Sequence, residues 1–266
     1  MPAPAVPLAF RGAAELRPDP LRRALLGVPS VVALTLAGGC ASVPPELPKQ
    51  VAPFSTAREL GGLPRGWEEV VMRRDLPLTD YRLAELDGRR VLRASGRGAS
   101  GLRCRLHVDP QAVPWMRWSW RTREVPPGMN VQRGATDDSP ARTVVAFHGE
   151  ESLLSLRDRA VFELVHLITG QRLPYATLMY VWDAQLPVGT VVNYARTSRI
   201  RYLVVESGRQ RAGRWLWYER NLVEDFRRVF GEEPGWVDSV GLMTDGDDLK
   251  VAVETWYGDI RLEARP

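Results

Sequence analysis

The sequence predicts a mainly β protein, an antiparallel β-sandwich of jelly-roll type with two short helical insertions. Short segments that alternate apolar and polar residues follow one another along residues 65–266, as expected for strands with one buried face. Turn residues separate these segments at close spacing, and only two segments show the apolar spacing of a helix. A sandwich of this length is commonly one unit, so we predict a single domain over residues 65–266.

The first 39 residues predict a lipoprotein signal peptide. Two arginines precede an apolar stretch, Ala24–Ala37, which is too short to cross a bilayer as a helix. The stretch leads into Leu36-Ala37-Gly38-Gly39-Cys40, which resembles the lipobox of bacterial lipoproteins, although a larger aliphatic residue is usual at Ala37. We therefore predict that Cys40 is lipidated and that Ala41 directs the protein to the outer membrane of the cell envelope. An ordinary cleaved signal and an uncleaved anchor are the alternatives.

Residues 40–64 predict a Pro-rich tether that lifts the domain off the membrane. Four prolines between residues 41 and 54 favour an extended, semi-rigid chain.

The second cysteine, Cys104, is predicted to be a buried core thiol. It lies in a strand in which Leu102, Cys104 and Leu106 face one way and charged residues face the other. If Cys40 is lipidated, no intramolecular disulfide is available. A Cys40–Cys104 bridge is the alternative, and it requires the lipobox to be a coincidence.

The first half of the domain reads as strands. Asp87-Gly88 between Tyr81–Leu86 and Arg89–Ala94 predicts a two-residue hairpin. After the Cys104 strand, Trp115–Thr122 alternates again and places Trp118 and Trp120 on one face, and Val144–Phe147 forms the next strand.

The second half contains both helices. Residues 151–168 repeat apolar residues at helical spacing (Ala160, Leu164 and Leu167, with Val161, Val165 and Ile168) and end before Gly170. Leu222–Phe230 is the second helix, ended by Gly231. The remaining predicted strands are Thr177–Asp183, which is apolar on both faces, Ile200–Glu206, Trp215–Arg220, Trp236–Thr244 and Val251–Tyr257.

Several short segments between Gly66 and Leu262 form a recognisable set. They are Ala99–Leu102, Trp118–Trp120, Asp137-Asp138 with Arg142, Leu178–Trp182, Arg220-Asn221, Asp225 with Phe230-Gly231, and Met243–Asp245 with Asp247. The set resembles an uncharacterised bacterial family, the domain of unknown function 3047. The resemblance implies a secreted or lipid-anchored domain whose fold is similar to jelly-roll sugar-binding modules, galactose-binding-like or concanavalin-like. It implies no activity and no catalytic residue.

The acidic pair Asp137-Asp138, followed by Arg142, is the first candidate for a polar ligand site. The pair follows a loop broken by Gly and Pro and precedes an apolar strand. In the functional interpretation one carboxylate contacts a sugar hydroxyl, binds a metal or donates a proton. In the structural interpretation the residues form an ion pair that fixes the loop. Arg220 is a further candidate polar contact, although Asp225 is in reach of it.

Asp245-Gly246-Asp247-Asp248 is a weaker candidate for a metal site. Asp245, Asp247 and Asp248 offer closely spaced oxygen ligands for a hard cation such as Ca²⁺. A solvated acidic turn explains the same residues. The histidines show no metal-ligand spacing, so we predict no other cofactor and assign no catalytic residue.

Tryptophans favour a carbohydrate ligand, because sugar rings stack on indole faces. The candidates are Trp118, Trp120, Trp182, Trp215, Trp217 and Trp256. Most of them alternate as core-facing residues do, so we expect one or two to line a groove and name Trp118 and Trp182 as the stacking surface.

Three functions fit these features. The first is a lipid-anchored envelope protein that binds a glycan or another polar ligand without catalysis. The second is a glycan hydrolase or lyase, in which Asp137 or Asp138 and Asp245 or Glu219 would face one cleft. The third is a purely structural envelope lipoprotein. A nucleic-acid partner is not expected, because the formal net charge of +4 is small and not concentrated on one segment.

Overall fold

The computed structural model describes residues 46–71 and 74–265. The predicted signal peptide and the predicted lipidation site Cys40 lie outside these residues. The described helices are α1 Leu156–Thr169 and α2 Leu222–Phe230, with 3-10 turns at Phe54–Thr56 and Glu151–Leu153. The strands are β1 Trp67–Val71, β2 Asp80–Leu86, β3 Arg89–Gly96, β4 Ser100–Val108, β5 Trp115–Thr122, β6 Ser139–Phe147, β7 Ala176–Asp183, β8 Val191–Asn193, β9 Ile200–Ser207, β10 Leu216–Asn221, β11 Val237–Asp245, β12 Val253–Tyr257 and β13 Arg261–Glu263.

These strands form two sheets. The larger sheet has the order β1-β4-β11-β6-β7-β9-β8, and the smaller has the order β10-β5-β12-β3-β2, with β13 also paired to β5. Neighbouring strands run antiparallel, except that β7 and β9 are parallel. The predicted mainly β sandwich with two helical insertions is therefore confirmed.

Alternation in the strands places the core between the sheets. In β5, Met116, Trp118 and Trp120 are buried, and their neighbours in sequence are only partly covered. Cys104 in β4 is buried as a free thiol, and burial raises its pKa, which favours the neutral form. The predicted core position of Cys104 is confirmed.

The strand β7 is buried along its whole length because both of its faces are covered. One face points into the core between the sheets. On the other face, Met179 and Val181 form a second apolar cluster with Tyr202 and Val204 of β9 and with Val131 from the loop between β5 and β6. This loop therefore acts as a cover for the centre of the larger sheet.

The predicted hairpin turn and the predicted end of α2 are confirmed. The hairpin between β2 and β3 turns at Asp87 and Gly88, which have φ values of 53° and 71°, as a type I′ turn requires. The side chain of Asn221 caps α2 by accepting from the N–H groups of Val223 and Glu224, and Gly231 ends α2 at a positive φ.

The helix α1 falls in the predicted range but begins at Leu156, after a 3-10 turn at Glu151–Leu153, and a different side of it faces the sandwich. Among its described side chains, Phe162 and Asp158 are buried, whereas Leu164, Leu167 and Ile168 of the predicted apolar spacing point to solvent. Because α1 carries apolar residues around most of its circumference, spacing alone did not identify the packed side.

Part of the predicted tether packs on the domain. Val51 and Phe54 are buried in the core, and the ring centroid of Phe54 lies 5.5 Å from that of Trp67. Two apolar side chains thus hold the range around residues 51–54 on the sandwich, in spite of its prolines. Along the described residues, neither helix has the length and apolar character needed to cross a bilayer.

Asp158 ties the start of α1 to the loop between β8 and β9. Its carboxylate accepts hydrogen bonds from the hydroxyls of Ser155, Thr197 and Ser198, at 2.6–2.7 Å, and from the N–H of Ser198 at 2.9 Å. Burial raises the pKa of Asp158, but these hydrogen bonds outweigh burial and lower the pKa from 3.8 to about 2.

We therefore predict that Asp158→Asn lowers the free energy of unfolding by about 2 kcal/mol at neutral pH, because a folded-state pKa below the unfolded value stabilises the fold above about pH 4. This contribution is lost as the pH falls through about 2, so the difference between the wild type and the variant should disappear there. Urea unfolding at several pH values measures it. Glu163→Gln on the exposed side of α1 is the control, and an equal pH dependence in both variants would contradict the prediction.

Candidate functional site

The predicted polar residues Asp137 and Arg142 belong to a closed, buried ion-pair network. Arg142 in β6 donates from Nε and Nη2 to the two carboxylate oxygens of Asp245, at 3.0 and 2.8 Å. Nη2 also donates to Oδ1 of Asp137 at 3.1 Å and to its backbone carbonyl at 2.7 Å. The guanidinium lies 5.2 Å from the ring centroid of Tyr202, whose hydroxyl donates to Asp137 at 3.0 Å.

The electrostatics of this network are those of a structural ion pair. Burial lowers the pKa of Arg142, but the charges of Asp245 and Asp137 more than compensate, so that its pKa lies well above the ordinary value. Arg142 and Asp245 are both almost fully buried and form an ion pair at 2.8 Å, so neither charge faces solvent. The network joins β6, the end of β11 and the loop before β6, which supports the structural interpretation.

Asp138 is also committed to the fold. Its carboxylate is buried and accepts hydrogen bonds from the N–H groups of Asp248 at 3.2 Å and Leu249 at 2.8 Å. It therefore holds the turn after β11.

The structure changes the set of acidic residues that were predicted to bind a metal. Carboxylate oxygens of Asp138, Asp245 and Asp247 lie within 4.8 Å of one another, whereas Asp248 contributes its backbone N–H to Asp138. Asp245 is not on a solvated turn but at the buried end of β11. Since Arg142 already occupies both oxygens of Asp245, the donor set fits a hard cation poorly.

Arg220 does not join this network. It makes a two-pronged ion pair with Asp225 of α2, and Nε of Arg220 lies 2.7 Å from Oδ2 of Asp225. The hydroxyl of Tyr180 donates to the same carboxylate at 2.9 Å. This pair attaches α2 to β10 and to the core.

The predicted stacking residues Trp118 and Trp182 are core residues. Both are buried, and Nε1 of Trp182 donates to the carbonyl of Gly208 at 2.8 Å. Trp118 packs against Tyr180 and Tyr218, with ring centroids 4.9 and 5.2 Å apart. Neither ring presents a free face to a sugar, so the stacking surface has to be sought elsewhere.

A groove on the outer face of the smaller sheet provides such a surface. It encloses about 950 Å³ and is lined by the outward side chains of β5 and β10, by the β2–β3 hairpin, by the segment between β12 and β13 and by Ser55. We call it the outer groove. Its place follows from the alternation in β5 and β10, because the side chains between the core positions have to point outward.

The floor of the outer groove is flat at Gly258. The strand β12 ends at Tyr257 and β13 begins at Arg261, so the sheet is interrupted between them. The N–H of Gly258 donates to the carbonyl of Ser119 at 2.9 Å. A Cβ at position 258 would lie 2.2 Å from Oγ of Ser119, so any other residue here would force the Ser119 hydroxyl to rotate away.

Trp217 is the aromatic surface of the outer groove. It is 63% exposed, and the guanidinium of Arg89 lies 5.8 Å from its ring centroid. Trp215, which is half-buried, also lines the outer groove.

The charged residues of the outer groove include both signs. Nε of Arg117 lies 2.6 Å from Glu219 of β10, and Nη1 of Arg117 lies 3.1 Å from Glu263 of β13. The carboxylate of Asp259 accepts from the N–H and the hydroxyl of Ser55, at 2.9 and 2.6 Å. The outer groove thus offers an aromatic plane next to fixed donors and acceptors.

Sequence reasoning placed Trp217 among six candidate tryptophans but did not choose it. In β10, Trp217 and Glu219 are exposed, whereas Leu216 between Trp215 and Trp217 is buried. The pairing of Trp217 with Ser119, an outward residue of β5, confirms the outward direction. The alternation around Trp217 was therefore the signal that could have identified it.

Comparisons with known proteins identify a family. The model of a family described as "Protein of unknown function (DUF3047)" matches residues 65–261. No curated protein matches the chain.

Several solved structures are similar to this chain at low identity. The K1 cleaved adhesin domain of Lys-gingipain from Porphyromonas gingivalis W83 is 10% identical, covers 82% of this chain and 99% of its own, and has a TM-score of 0.35. The family 30 carbohydrate-binding module of a cellulosomal cellulase from Clostridium thermocellum is 12% identical, covers 82% and 95%, and has a TM-score of 0.34. The family 11 xylanase from Neocallimastix patriciarum is 11% identical, covers 80% and 95%, and has a TM-score of 0.29. At these values the likeness carries no argument about a ligand.

The buried network predicts a large stability effect. Asp245→Ala should lower the free energy of unfolding by about 3 kcal/mol or more, because Arg142 stays buried without its main partner. Glu219→Ala, which removes a half-exposed partner of Arg117, should cost less than about 1 kcal/mol. Urea unfolding of both variants at neutral pH makes the comparison. Equal effects would show that Arg142 does not depend on Asp245.

Proposed function

We propose a ligand-binding function for this chain, which belongs to the DUF3047 family of proteins of unknown function. The ligand is a glycan, and it binds in the outer groove without being chemically changed. The protein does this at the cell envelope, held by a lipid on Cys40.

The exposed ring of Trp217 is the observation that carries the proposal. A large aromatic side chain that is 63% exposed on a sheet face leaves an apolar plane in water. The C–H face of a sugar ring covers such a plane, while its hydroxyls bond to polar neighbours. Arg89 stands beside the ring, and Glu219 and Ser119 lie on the same outer face.

Binding without catalysis is favoured by the way in which two carboxylates of the outer groove are held. Glycoside hydrolysis needs one carboxylic acid that gives a proton and one carboxylate that attacks or activates water. Glu219 is paired with Arg117, and Asp259 accepts two hydrogen bonds from Ser55, while the third lining carboxylate, Glu85, is exposed on the hairpin. Asp137, Asp138 and Asp245 have partners in the interior and do not line the outer groove. These partners position Glu219 and Asp259 for contacts with a ligand rather than for proton transfer.

The envelope location rests on residues outside the described part of the chain. The apolar stretch Ala24–Ala37 and the lipobox-like ending at Cys40 support export and lipidation. Ala41 after the cysteine supports sorting to the outer membrane. A glycan ligand fits this location, because the envelope is rich in polysaccharide.

Replacing the exposed ring tests the binding site. Trp217→Ala should weaken binding to the best ligand on an array of envelope glycans by at least tenfold, or about 1.4 kcal/mol, because the stacking surface is lost. The melting temperature should hardly change, since the side chain is exposed. Isothermal titration calorimetry measures the affinity.

Trp236→Ala is the matched control for this experiment. Trp236 is 44% exposed and stacks on His107, on the other sheet. We expect this variant to keep wild-type affinity. Equal losses in both variants, or no glycan binding by the wild type, would contradict the proposal, and release of shortened sugar products would favour the hydrolase.

The lipid anchor has its own test. The wild-type chain expressed in a diderm bacterium should incorporate labelled palmitate and fractionate with outer membranes, and Cys40→Ser should lose both properties. Cys104→Ser should keep the label, because its thiol is buried in the core. A labelled Cys40→Ser variant would exclude Cys40 as the lipidation site.

A further inference from the structure

The outward side of α1 presents a row of large apolar side chains to solvent. Leu156 is 84% exposed, Leu164 55%, Leu167 80% and Ile168 73%, and Leu153 just before the helix is 70% exposed. The spacing 156, 164, 167 places the three leucines on one helix face. Contiguous apolar surface of this kind is unusual on a water-exposed domain and marks a contact with another body.

The row belongs to a firmly held helix and not to a frayed end. Phe162 packs into the core from the opposite side of α1. Asp158 fixes the first turn through four hydrogen bonds, and Gly170 closes the last turn in the left-handed conformation. The apolar row is therefore presented in a defined orientation.

The course of the chain indicates what covers the row. Leu47, near the start of the described residues, lines one cleft together with Glu151 and Arg172, which flank α1 on its two sides in sequence. Six residue steps separate Cys40 from Glu46, which is a reach of at most about 20 Å. A lipid on Cys40 would therefore hold this end of the domain close to the membrane surface.

We propose that the exposed apolar face of α1 docks on the lipid bilayer as an interfacial helix. The inference rests on the lipid anchor of the proposed function and adds a second point of attachment. The lipid holds one end of the domain at the membrane, and an apolar helix face supplies a second point of contact that fixes its orientation. At 14 residues α1 is about 21 Å long, so it lies in the interface and does not span the bilayer.

Charged residues of both signs border the face. Arg157 follows Leu156 and donates to the carbonyl of Ala195, and the exposed Glu163 lies one turn before Leu167. Arg172 after the helix is 71% exposed and pairs with Glu151 at 3.9 Å. In an interfacial helix such side chains stay at the level of the phosphates while the leucines enter the acyl region.

A fluorescent probe on α1 tests the docking. The full-length chain, purified from bacterial membranes, is reconstituted into vesicles of phosphatidylethanolamine and phosphatidylglycerol. The variants Leu164→Cys and Arg209→Cys carry an environment-sensitive dye, and the labelled wild type measures the background from its own cysteines. Arg209 is exposed in the β9–β10 loop and serves as the control position.

We expect the dye at position 164 to shift to shorter wavelength on reconstitution and to be quenched at least twofold by nitroxide-bearing lipids. The dye at position 209 should show neither effect. In a Leu156→Gln, Leu167→Gln background, the signal at position 164 should fall towards that at 209, which excludes insertion driven by the dye itself.

Three outcomes would overturn the inference, and they are distinguishable. If the chain floats with vesicles but the dye at position 164 stays exposed to water, the lipid anchor is supported and the docking of α1 is contradicted. A shifted dye that lipid nitroxides do not quench means that a segment of this chain or a second copy covers the face. A chain that does not float with vesicles fails the anchor, and the docking fails with it.

Discussion

The pairing of Arg142 with Asp245 is the constraint on which much of the larger sheet depends. Arg142 comes from the middle of β6 and Asp245 from the last position of β11, and the same guanidinium holds Asp137 at the end of the preceding loop. That loop brings Val131 over the outer side of β7 and β9. The ion pair and the second apolar cluster therefore depend on each other, because the loop has to close before Arg142 can be sealed from water.

The outer face of the larger sheet is covered by a loop, whereas the outer face of the smaller sheet is open. Its inner face is filled by Trp118, Trp120 and Tyr257. Its outer face is left open where β12 stops, and Gly258 lies on the floor of the outer groove. The alternation in β5 and β10 places Trp217 on this open face.

The periodicity of apolar residues predicts much of the secondary structure. It located most strands and both helices, and it put Trp118, Trp120 and Cys104 on one side. Alternation predicts which residues share a face, but the facing sheet decides which face is buried. The sequence therefore does not distinguish the buried ring of Trp118 from the exposed ring of Trp217. The partners of Arg142 could not be predicted, because Asp245 lies 103 positions away along the chain. In α1, apolar residues occur on both sides, so only packing shows that Phe162 and not Leu164 turns inward.

The order of the strands also bears on self-association. Among the described strands, β1, β8, β10 and β2 stand at the ends of the two strand orders, and the three-residue β13 is paired with β5. Each is short or carries charge: β8 has three residues, β1 contains Glu68-Glu69, β2 contains Arg82 and Glu85, and β10 contains Glu219-Arg220. Such edges are poor templates for the addition of another chain's strand, which protects a β-rich protein from aggregation. At high local concentration on a surface, this protein would be expected to stay separate at its edges and to meet other molecules through its faces.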